Sequence, residues 1–277
     1  APINRGNSGG PLFNMDGEVV GVNTAIYSPS GGSVGIGFAV PSILVQRVVG
    51  QLRDFGRTKR GWLGVRIQTV TPEIAEGFNL PDSSGALVAS VTPDGPAEKA
   101  GLESGDVIVR FNGNPIDEMR ELPRVVADTD VGQTVEVVIL RNGQEMTFDV
   151  ELGELEAFED QLAADGGDSG GASGATKAPG DVLGMNLVPM NDELAQQYGL
   201  DGQSEGLVVI EVLPGSPAAQ ADIAAGDIVL QVGQAPVSTA DDVSGEVDAA
   251  RERGARTVVI LVERDGDAEF RAVNVGE

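Results

Sequence analysis

The chain has no cysteine and no histidine among its 277 residues, and only 4% of its residues are aromatic. The absence of cysteine excludes disulfide bonds and thiolate metal sites, and it is compatible with an oxidising compartment without indicating one. The absence of histidine removes the side chain that serves most often as a general base near neutral pH. A nucleophile in this sequence therefore has no histidine within the chain to activate it.

Long apolar runs and positive charge are also scarce. No run approaches the roughly 20 apolar residues that span a bilayer, so we expect no membrane insertion. The formal net charge is -25, from 43 acidic and 18 basic residues, whereas nucleic acids and anionic membranes need a basic footprint. We therefore exclude both as partners and interpret the acidity mainly as a solubility feature.

Acidic residues are spread through loops and helix ends. The pair Asp241-Asp242 fits the start of a helix better than a metal site, so the sequence predicts neither a metal nor another cofactor. The length suggests about two domains with room for part of a third. The composition, with 39 glycines, agrees with a β-rich chain of several domains.

A serine between glycines stands near the first residue, in the segment Gly6–Leu12 (GNSGGPL). A Ser hydroxyl becomes a useful nucleophile only with a general base beside it and donors aimed at the developing oxyanion. Flanking glycines allow the amides of Gly6 and Ser8 to converge on one point. On its own, the motif fits a surface Gly/Ser turn more simply.

The segment fits two kinds of serine hydrolase, which differ in chain order. In the α/β-hydrolase elbow the serine follows a strand, and its acid and its histidine come later. Here only seven residues precede Ser8 and no histidine follows it. In the chymotrypsin order, His and Asp both precede Ser. We therefore expect the serine-bearing end of a severed catalytic domain.

Three motifs together resemble the end of the protease domain of the HtrA (Deg/Do) serine endopeptidase family. They are Ile3–Leu12 (INRGNSGGPL), Gly17–Ala25 (GEVVGVNTA) and Gly35–Ser42 (GIGFAVPS). The rest of the chain resembles the two PDZ domains of that family, so the likeness covers nearly all of it. The chain departs from the family in having no His, no upstream Asp and no initiator Met, which favours a fragment.

The resemblance implies roles for individual residues. Ser8 is the expected nucleophile, and the amides of Gly6 and Ser8 are the expected oxyanion hole. Ile36, Gly37 and Phe38 are expected on the wall of the primary specificity pocket. An ordinary core position is an equally good interpretation of Ile36 and Phe38.

Local patterns before residue 57 predict strands and then a helix. Asp16-Gly17 is a hairpin signal leading into the run 18–25, whose three valines suit a buried strand. A further strand is expected over 34–40. Apolar residues then recur at every fourth position, which predicts a helix from Pro41 or Ser42 to a stop at Gly56.

The remainder contains a repeat with a spacing of about 120 residues. Trp62–Val65 (WLGV) matches Val182–Met185 (VLGM), and Pro93–Ala97 (PDGPA) matches Pro214–Ala218 (PGSPA). By the resemblance, each copy is a PDZ domain. A strand edge then binds an extended peptide, and a turn of exposed N–H groups captures its terminal carboxylate. The expected turns are Leu63, Gly64 and Val65 in the first copy, and Leu183, Gly184 and Met185 in the second.

A helix is expected as the other wall of each groove. In the second copy, Thr239 and Asp242 form a capping-box start. In the first copy the helix lies near 120–127, where Pro123 is tolerable only in the first turn. The groove-side candidates are Leu122 and Val126 in the first copy and Val243 and Val247 in the second, and each suits a core position equally.

The predicted fold class is mainly β with α+β modules: the C-terminal part of a chymotrypsin-like β-barrel followed by two PDZ domains. The expected bounds are 1–56 for the protease part, 61–152 for the first PDZ domain, 153–180 for an acidic and then Gly/Ser/Ala-rich linker, and 181–277 for the second PDZ domain. About 15 linker residues span on the order of 20 Å as a random coil. We therefore expect the second PDZ domain to move independently of the first.

Two functions remain open. The first is part of a periplasmic serine endopeptidase for protein quality control, whose partners are misfolded proteins and peptide C-termini. The second is a non-catalytic tandem PDZ module with a vestigial protease segment. In either case this chain, without the His and Asp of the triad, is expected to be inactive alone. By resemblance the parent is a homotrimer or larger, whereas the fragment is expected to be a monomer.

Overall fold

The computed structural model of the chain describes residues 6–27, 36–158, 180–191, 194, 198 and 206–276. The chain divides into two compact units, Ala1–Lys59 and Arg60–Glu277. The first unit contains the serine motif, and the second contains both copies of the repeat.

The first unit is an antiparallel sheet followed by a helix. Its strands are β1 (Pro11–Phe13), β2 (Val19–Ile26) and β3 (Gly37–Pro41), in the order β1-β2-β3, and helix α1 spans Ser42–Phe55. Helix α1 stops because Gly56 has a left-handed φ of 71° and its N–H donates to Leu52 O at 3.0 Å. The predicted hairpin and helix are confirmed.

Apolar side chains of this first unit lie mostly on its surface. Val19 and Val20 are 46% and 41% exposed, so the prediction of a buried strand there is wrong. Among the described residues of the unit only Gly21 and Asn23 are buried, because one sheet with one helix does not enclose a core. The other exposed large apolar side chains are Phe13, Met15, Tyr27, Ile36, Phe38, Ile43, Leu44, Val48, Val49, Leu52 and Phe55.

The first copy of the repeat is an antiparallel sheet with short helices. Its strands are β4 (Gly61–Trp62), β5 (Val65–Thr69), β6 (Ala86–Val91), β7 (Val107–Phe111), β8 (Asn114–Pro115), β9 (Thr134–Arg141), β10 (Gln144–Glu151) and β11 (Gly153–Glu154). Its helices are α2 (Pro72–Gly77), α3 (Pro96–Ala100) and α4 (Glu121–Ala127). The strand order is β10-β9-β7-β6-β5, with β8 on β7, so that β5 is an edge strand. Strand β4 pairs separately with β11.

The second copy repeats this order of elements. Its strands are β12 (Gly180–Val182), β13 (Met185–Pro189), β14 (Leu207–Val212), β15 (Ile228–Val232), β16 (Ala235–Pro236), β17 (Thr257–Arg264) and β18 (Asp267–Asn274). Its helices are α5 (Pro217–Gln220) and α6 (Ala240–Glu252). The order is β12-β13-β14-β15-β17-β18. Strand β13, the counterpart of β5, therefore carries β12 on its outer edge.

A buried carboxylate–guanidinium pair recurs at the same place in both copies. Asp106 accepts hydrogen bonds from Arg141 Nε and Nη2 at 2.7 and 2.8 Å, and Asp227 accepts them from Arg264 at 2.6 and 2.8 Å. Each carboxylate is only 1% exposed. These bidentate hydrogen bonds raise the pKa of both guanidinium groups.

The two copies share an apolar cluster. Its buried members are Val70, Ile74, Ala75, Phe78, Leu87 and Val107 from the first copy, and Val259, Leu261 and Phe270 from the second. Phe78 meets Phe270 edge-on, with ring centroids 5.3 Å apart. A polar bridge is added by Gln234, whose Nε2 donates to Gly105 O at 2.7 Å and whose Oε1 accepts from Asn142 N at 2.9 Å. The expectation of independent movement is wrong, because separating the copies would expose this cluster to water.

Candidate functional site

The glycine-flanked serine lies in an exposed turn held against β2. Gly9 N donates to Asn23 O at 2.8 Å and Asn23 N donates to Gly10 O at 3.0 Å. Ser8 Oγ donates to Thr24 O at 3.1 Å. Among the described residues, the amides of Gly6 and Ser8 donate to no backbone acceptor. The turn therefore offers a hydroxyl and N–H donors together, but the hydroxyl is bonded to a carbonyl rather than to a base.

The predicted pocket wall lies on the strand next to β2. Ile36 and Phe38 are 50% and 55% exposed, so neither is a core residue of this unit. Thr24, whose carbonyl accepts from Ser8, donates through its own hydroxyl to Phe38 O at 3.2 Å. Two successive hydrogen bonds thus connect Ser8 to the backbone of the predicted wall. The roles of Ile36, Gly37 and Phe38 remain predictions.

The first predicted carboxylate turn is an open loop. Gly64 has a φ of 78°, and a Cβ there would lie 3.0 Å from Pro96 Cδ, which favours glycine. The carbonyls of Leu63 and Gly64 accept from Ala97 N and Thr92 N, each at 2.9 Å. The amides of Leu63 and Gly64 donate to no backbone acceptor in the described part of the chain. Both amides are therefore available to an anion.

Strand β5 forms the floor beside this turn. Val65 and Ile67 alternate along it, are half-buried, and pack on the core of the first copy. The outer edge of β5 carries no strand among the described residues. A half-exposed apolar strip beside an unpaired edge is suited to an added peptide strand.

Helix α4 contributes core side chains rather than a second exposed wall. Leu122 and Val126 are 2% and 6% exposed and belong to the first copy's core. Pro123 is the third residue of the helix and lies in its first turn, as required.

Helix α6 begins as the sequence predicts. Asp242 N donates to Thr239 Oγ1 at 3.2 Å, and Thr239 N donates to Asp242 Oδ2 at 2.7 Å, which completes the capping box. Val243 and Val247 are 0% and 2% exposed and lie in the second copy's core. Asp242 is thus a cap. No group of metal-binding side chains occurs among the described residues.

The second predicted turn has a different backbone shape. Leu183 and Gly184 have φ values of 56° and 80°, whereas in the first turn only the glycine is left-handed. Strand β12 folds back along β13, with Val182 opposite Met185 and Asp181 opposite Asn186. The sequences of the two turns, LGV and LGM, do not indicate this difference.

Trp62 has an aromatic partner that the sequence did not indicate. Its ring stacks on Phe158 with centroids 4.1 Å apart and an interplanar angle of 20°. Trp62 also pairs through its backbone with Gly153. The chain's single tryptophan thus lies directly before the open turn, with its ring held by the stack.

In the ranges that the structure describes, no helix has both the length and the apolar character of a membrane span.

Family models match the chain in three places. The PDZ domain model matches residues 61–152 and 182–275, and the trypsin model matches residues 1–49. The PDZ matches cover more than half of the sequence, and the chain belongs to the PDZ domain family. Together with the trypsin match they confirm the predicted fold class.

Curated relatives match over nearly the whole chain. A probable periplasmic serine endoprotease DegP-like from Brucella suis is 38% identical over 277 residues, which are 100% of this chain and 51% of that protein. The relative of the same name from Hahella chejuensis is 41% identical over 268 residues, 97% of this chain and 55% of that protein. These relatives confirm the resemblance to HtrA (Deg/Do) proteases. The chain spans about half of their length.

Solved structures give matches of the same kind. The HtrA-type protease AlgW with decapeptide is 45% identical with a TM-score of 0.48, covering 55% of this chain and 47% of that chain. The serine endoprotease from Yersinia pestis is 37% identical with a TM-score of 0.40, covering 55% of this chain and 49% of that chain.

Proposed function

We propose that this chain is the serine-bearing end of a catalytic domain joined to two PDZ domains, and that the whole protein is a periplasmic serine endopeptidase that degrades misfolded proteins. The observation that carries the proposal is the turn at Ser8, where an exposed hydroxyl stands between amides without backbone acceptors. The DegP-like relatives and the trypsin match over residues 1–49 support it.

The chemistry follows from the atoms of this turn. Ser8 Oγ attacks the scissile carbonyl and gives its proton to a general base, while the N–H groups of Gly6 and Ser8 receive the oxyanion. The chain holds no histidine, so a histidine base must come from residues outside it. Ile36, Gly37 and Phe38 then contact the substrate side chain beside the cleaved bond.

The first PDZ domain has the features of a peptide-capturing module. The amides of Leu63 and Gly64 receive a terminal carboxylate, and the peptide adds as a strand to β5 over Val65 and Ile67. Capture of an exposed C-terminus keeps an unfolded substrate near the catalytic domain and raises its effective concentration there.

A non-catalytic tandem PDZ module is the second candidate. The hydrogen bond from Ser8 Oγ to Thr24 O favours it, because a hydroxyl bonded to a backbone carbonyl is not activated. The coding sequence upstream of Ala1 separates the two: an endopeptidase needs a histidine followed by an aspartate there.

A cleavage assay on the whole protein tests the activity itself. Wild type is expected to degrade an unfolded polypeptide and to spare its folded form, while Ser8→Ala stops cleavage without changing peptide binding. Ser33→Ala is a control on another serine of the same unit. A folded wild type that does not cleave would support the non-catalytic module, and equal cleavage by wild type and Ser8→Ala would show that Ser8 is not the nucleophile.

A further inference from the structure

We propose that the peptide groove of the second PDZ domain is closed by the chain's own residues Gly180–Val182, which occupy the strand edge that an incoming peptide needs. The inference rests on the proposed peptide-binding function of these domains. Strand β12 pairs antiparallel with β13, with Gly180 opposite Leu187, Asp181 opposite Asn186 and Val182 opposite Met185. An incoming peptide would pair with this same outer edge of β13.

The corresponding segment of the first copy runs elsewhere. Gly61–Trp62 precede the first turn, just as Asp181-Val182 precede the second. They pair with Gly153–Glu154 instead of with β5. The outer edge of β5 is therefore left without a strand in the described structure. The two copies have the same fold but differ in where the entering strand lies.

The apolar side chains on β13 are also more deeply buried than their counterparts on β5. Val65 and Ile67 on β5 are half-buried, as in an open groove. Their counterparts Met185 and Leu187 on β13 are both 0% exposed. Val182 joins them in the second copy's core at 9% exposed. The apolar strip that would receive a ligand side chain is thus already covered.

The turn itself is part of the β12–β13 hairpin, although the amides of Leu183 and Gly184, like those of Leu63 and Gly64, donate to no backbone acceptor in the described part of the chain. Leu183 and Gly184 both have positive φ, which is the backbone shape of a two-residue type I′ hairpin. Directly opposed residues flanking such a turn exchange both backbone hydrogen bonds. The amide of Met185 therefore faces Val182 and is not available to a carboxylate. A left-handed Leu is uncommon, and the strand pairing compensates for it.

The second domain is consequently a latent site. A peptide can enter only when Gly180–Val182 leaves β13, whereas the first domain accepts one directly. At peptide concentrations that fill the first groove, we expect one bound peptide for each chain.

A disulfide tests where the segment lies. The chain has no cysteine, and residues 181 and 186 are directly opposed in the backbone register of β12 and β13. By the alternation of an antiparallel ladder theirs is a non-hydrogen-bonded pair, whose backbone spacing suits a cross-strand disulfide. The double variant Asp181→Cys/Asn186→Cys is expected to oxidise readily in the folded chain. The control pair Arg60→Cys/Arg66→Cys, which flanks the first turn where β4 does not pair with β5, is not. Failure of the 181–186 pair to oxidise would overturn the proposal.

Binding stoichiometry tests closure. A peptide with an apolar C-terminal residue and a free carboxylate is titrated by calorimetry against the whole chain and against Gly64→Asp, which places a negative charge in the first turn. We expect one site in wild type and none in Gly64→Asp. Gly180→Pro, which removes a backbone donor from β12, is expected to restore a site in the Gly64→Asp background. Loss of that site after oxidation of the 181–186 pair would confirm that β12 competes for it.

The outcomes are separable from failure of the proposed function. Binding to Gly64→Asp that persists in the oxidised 181–186 variant would overturn the closed groove while leaving peptide binding intact. No binding to wild type at any concentration, with a 181–186 disulfide that forms readily, would refute peptide capture but uphold the placement of β12.

Discussion

The side-chain amide of Gln68 forms a paired hydrogen bond with the backbone of Phe270. Gln68 Nε2 donates to Phe270 O at 2.9 Å, and Gln68 Oε1 accepts from Phe270 N at 2.9 Å. Gln68 lies on β5 of the first PDZ domain, and Phe270 lies on β18 of the second. Arg66, also on β5, forms an ion pair with Asp267 of the same hairpin. The second domain thus supports β5, the strand that we propose binds a peptide in the first domain.

Gln68→Ala should weaken this contact. The substitution removes the hydrogen-bond partners of the Phe270 N–H and C=O groups. Because Phe270 is only 1% exposed, we expect a loss of about 1–3 kcal/mol in the free energy of unfolding. Urea unfolding of the chain measures it. Gln144→Ala, at an exposed position on β10, should change stability by less than about 0.5 kcal/mol. Equal effects of the two variants would show that the bridge does not stabilise the domain pair.

The two buried carboxylates should differ in their importance. Asp106→Ala removes the buried carboxylate that binds Arg141, whose side chain is only 18% exposed and keeps the exposed Glu103 and Gly101 O as partners, so a loss of about 3–5 kcal/mol is expected. Asp227→Ala should cost less, because Arg264 is 40% exposed and solvent replaces the lost bond. Thermal unfolding compares them with Asp149→Ala, an exposed control. A larger loss in Asp227→Ala would contradict this order.

The sequence predicted what depends on local pattern and repetition. The helix stop at Gly56, the Thr239–Asp242 cap and the two copies all follow from a few neighbouring residues or from the chain's own self-similarity. The contact between the copies did not, since Gln68 and Phe270 belong to strands distant in sequence. Val19 and Val20 have the pattern of a buried strand, but burial needs a second layer.

Capture of a C-terminus by the first domain should depend on charge. Hydrogen bonds to a charged group contribute about 1.5–3 kcal/mol, so amidation of the peptide's C-terminus should weaken binding by roughly ten- to a hundredfold. Trp62 is the only tryptophan, and its fluorescence, set by the stack on Phe158, reports binding beside the turn. Equal affinities of the acid and the amide would mean that Leu63, Gly64 and Val65 form only a structural turn.

The isolated chain should be monomeric. By resemblance, HtrA-family trimers form through the N-terminal part of the protease domain, and the trypsin match here covers only residues 1–49. Light scattering at micromolar concentration measures the mass. Any association through the exposed apolar side chains of the first unit would give irregular aggregates, which light scattering distinguishes from a defined trimer. A discrete trimer would contradict this prediction and would place the contact on another surface.

The most direct test of the serine-endopeptidase proposal is labelling with a fluorophosphonate, which reacts only with an activated serine. The whole protein should be labelled on Ser8 in a one-to-one ratio, and its Ser8→Ala variant should remain unlabelled. The 277-residue chain alone should also remain unlabelled, because a serine hydroxyl without a base is a poor nucleophile near neutral pH. A folded whole protein that leaves Ser8 unmodified would contradict the assignment of Ser8 as a catalytic nucleophile.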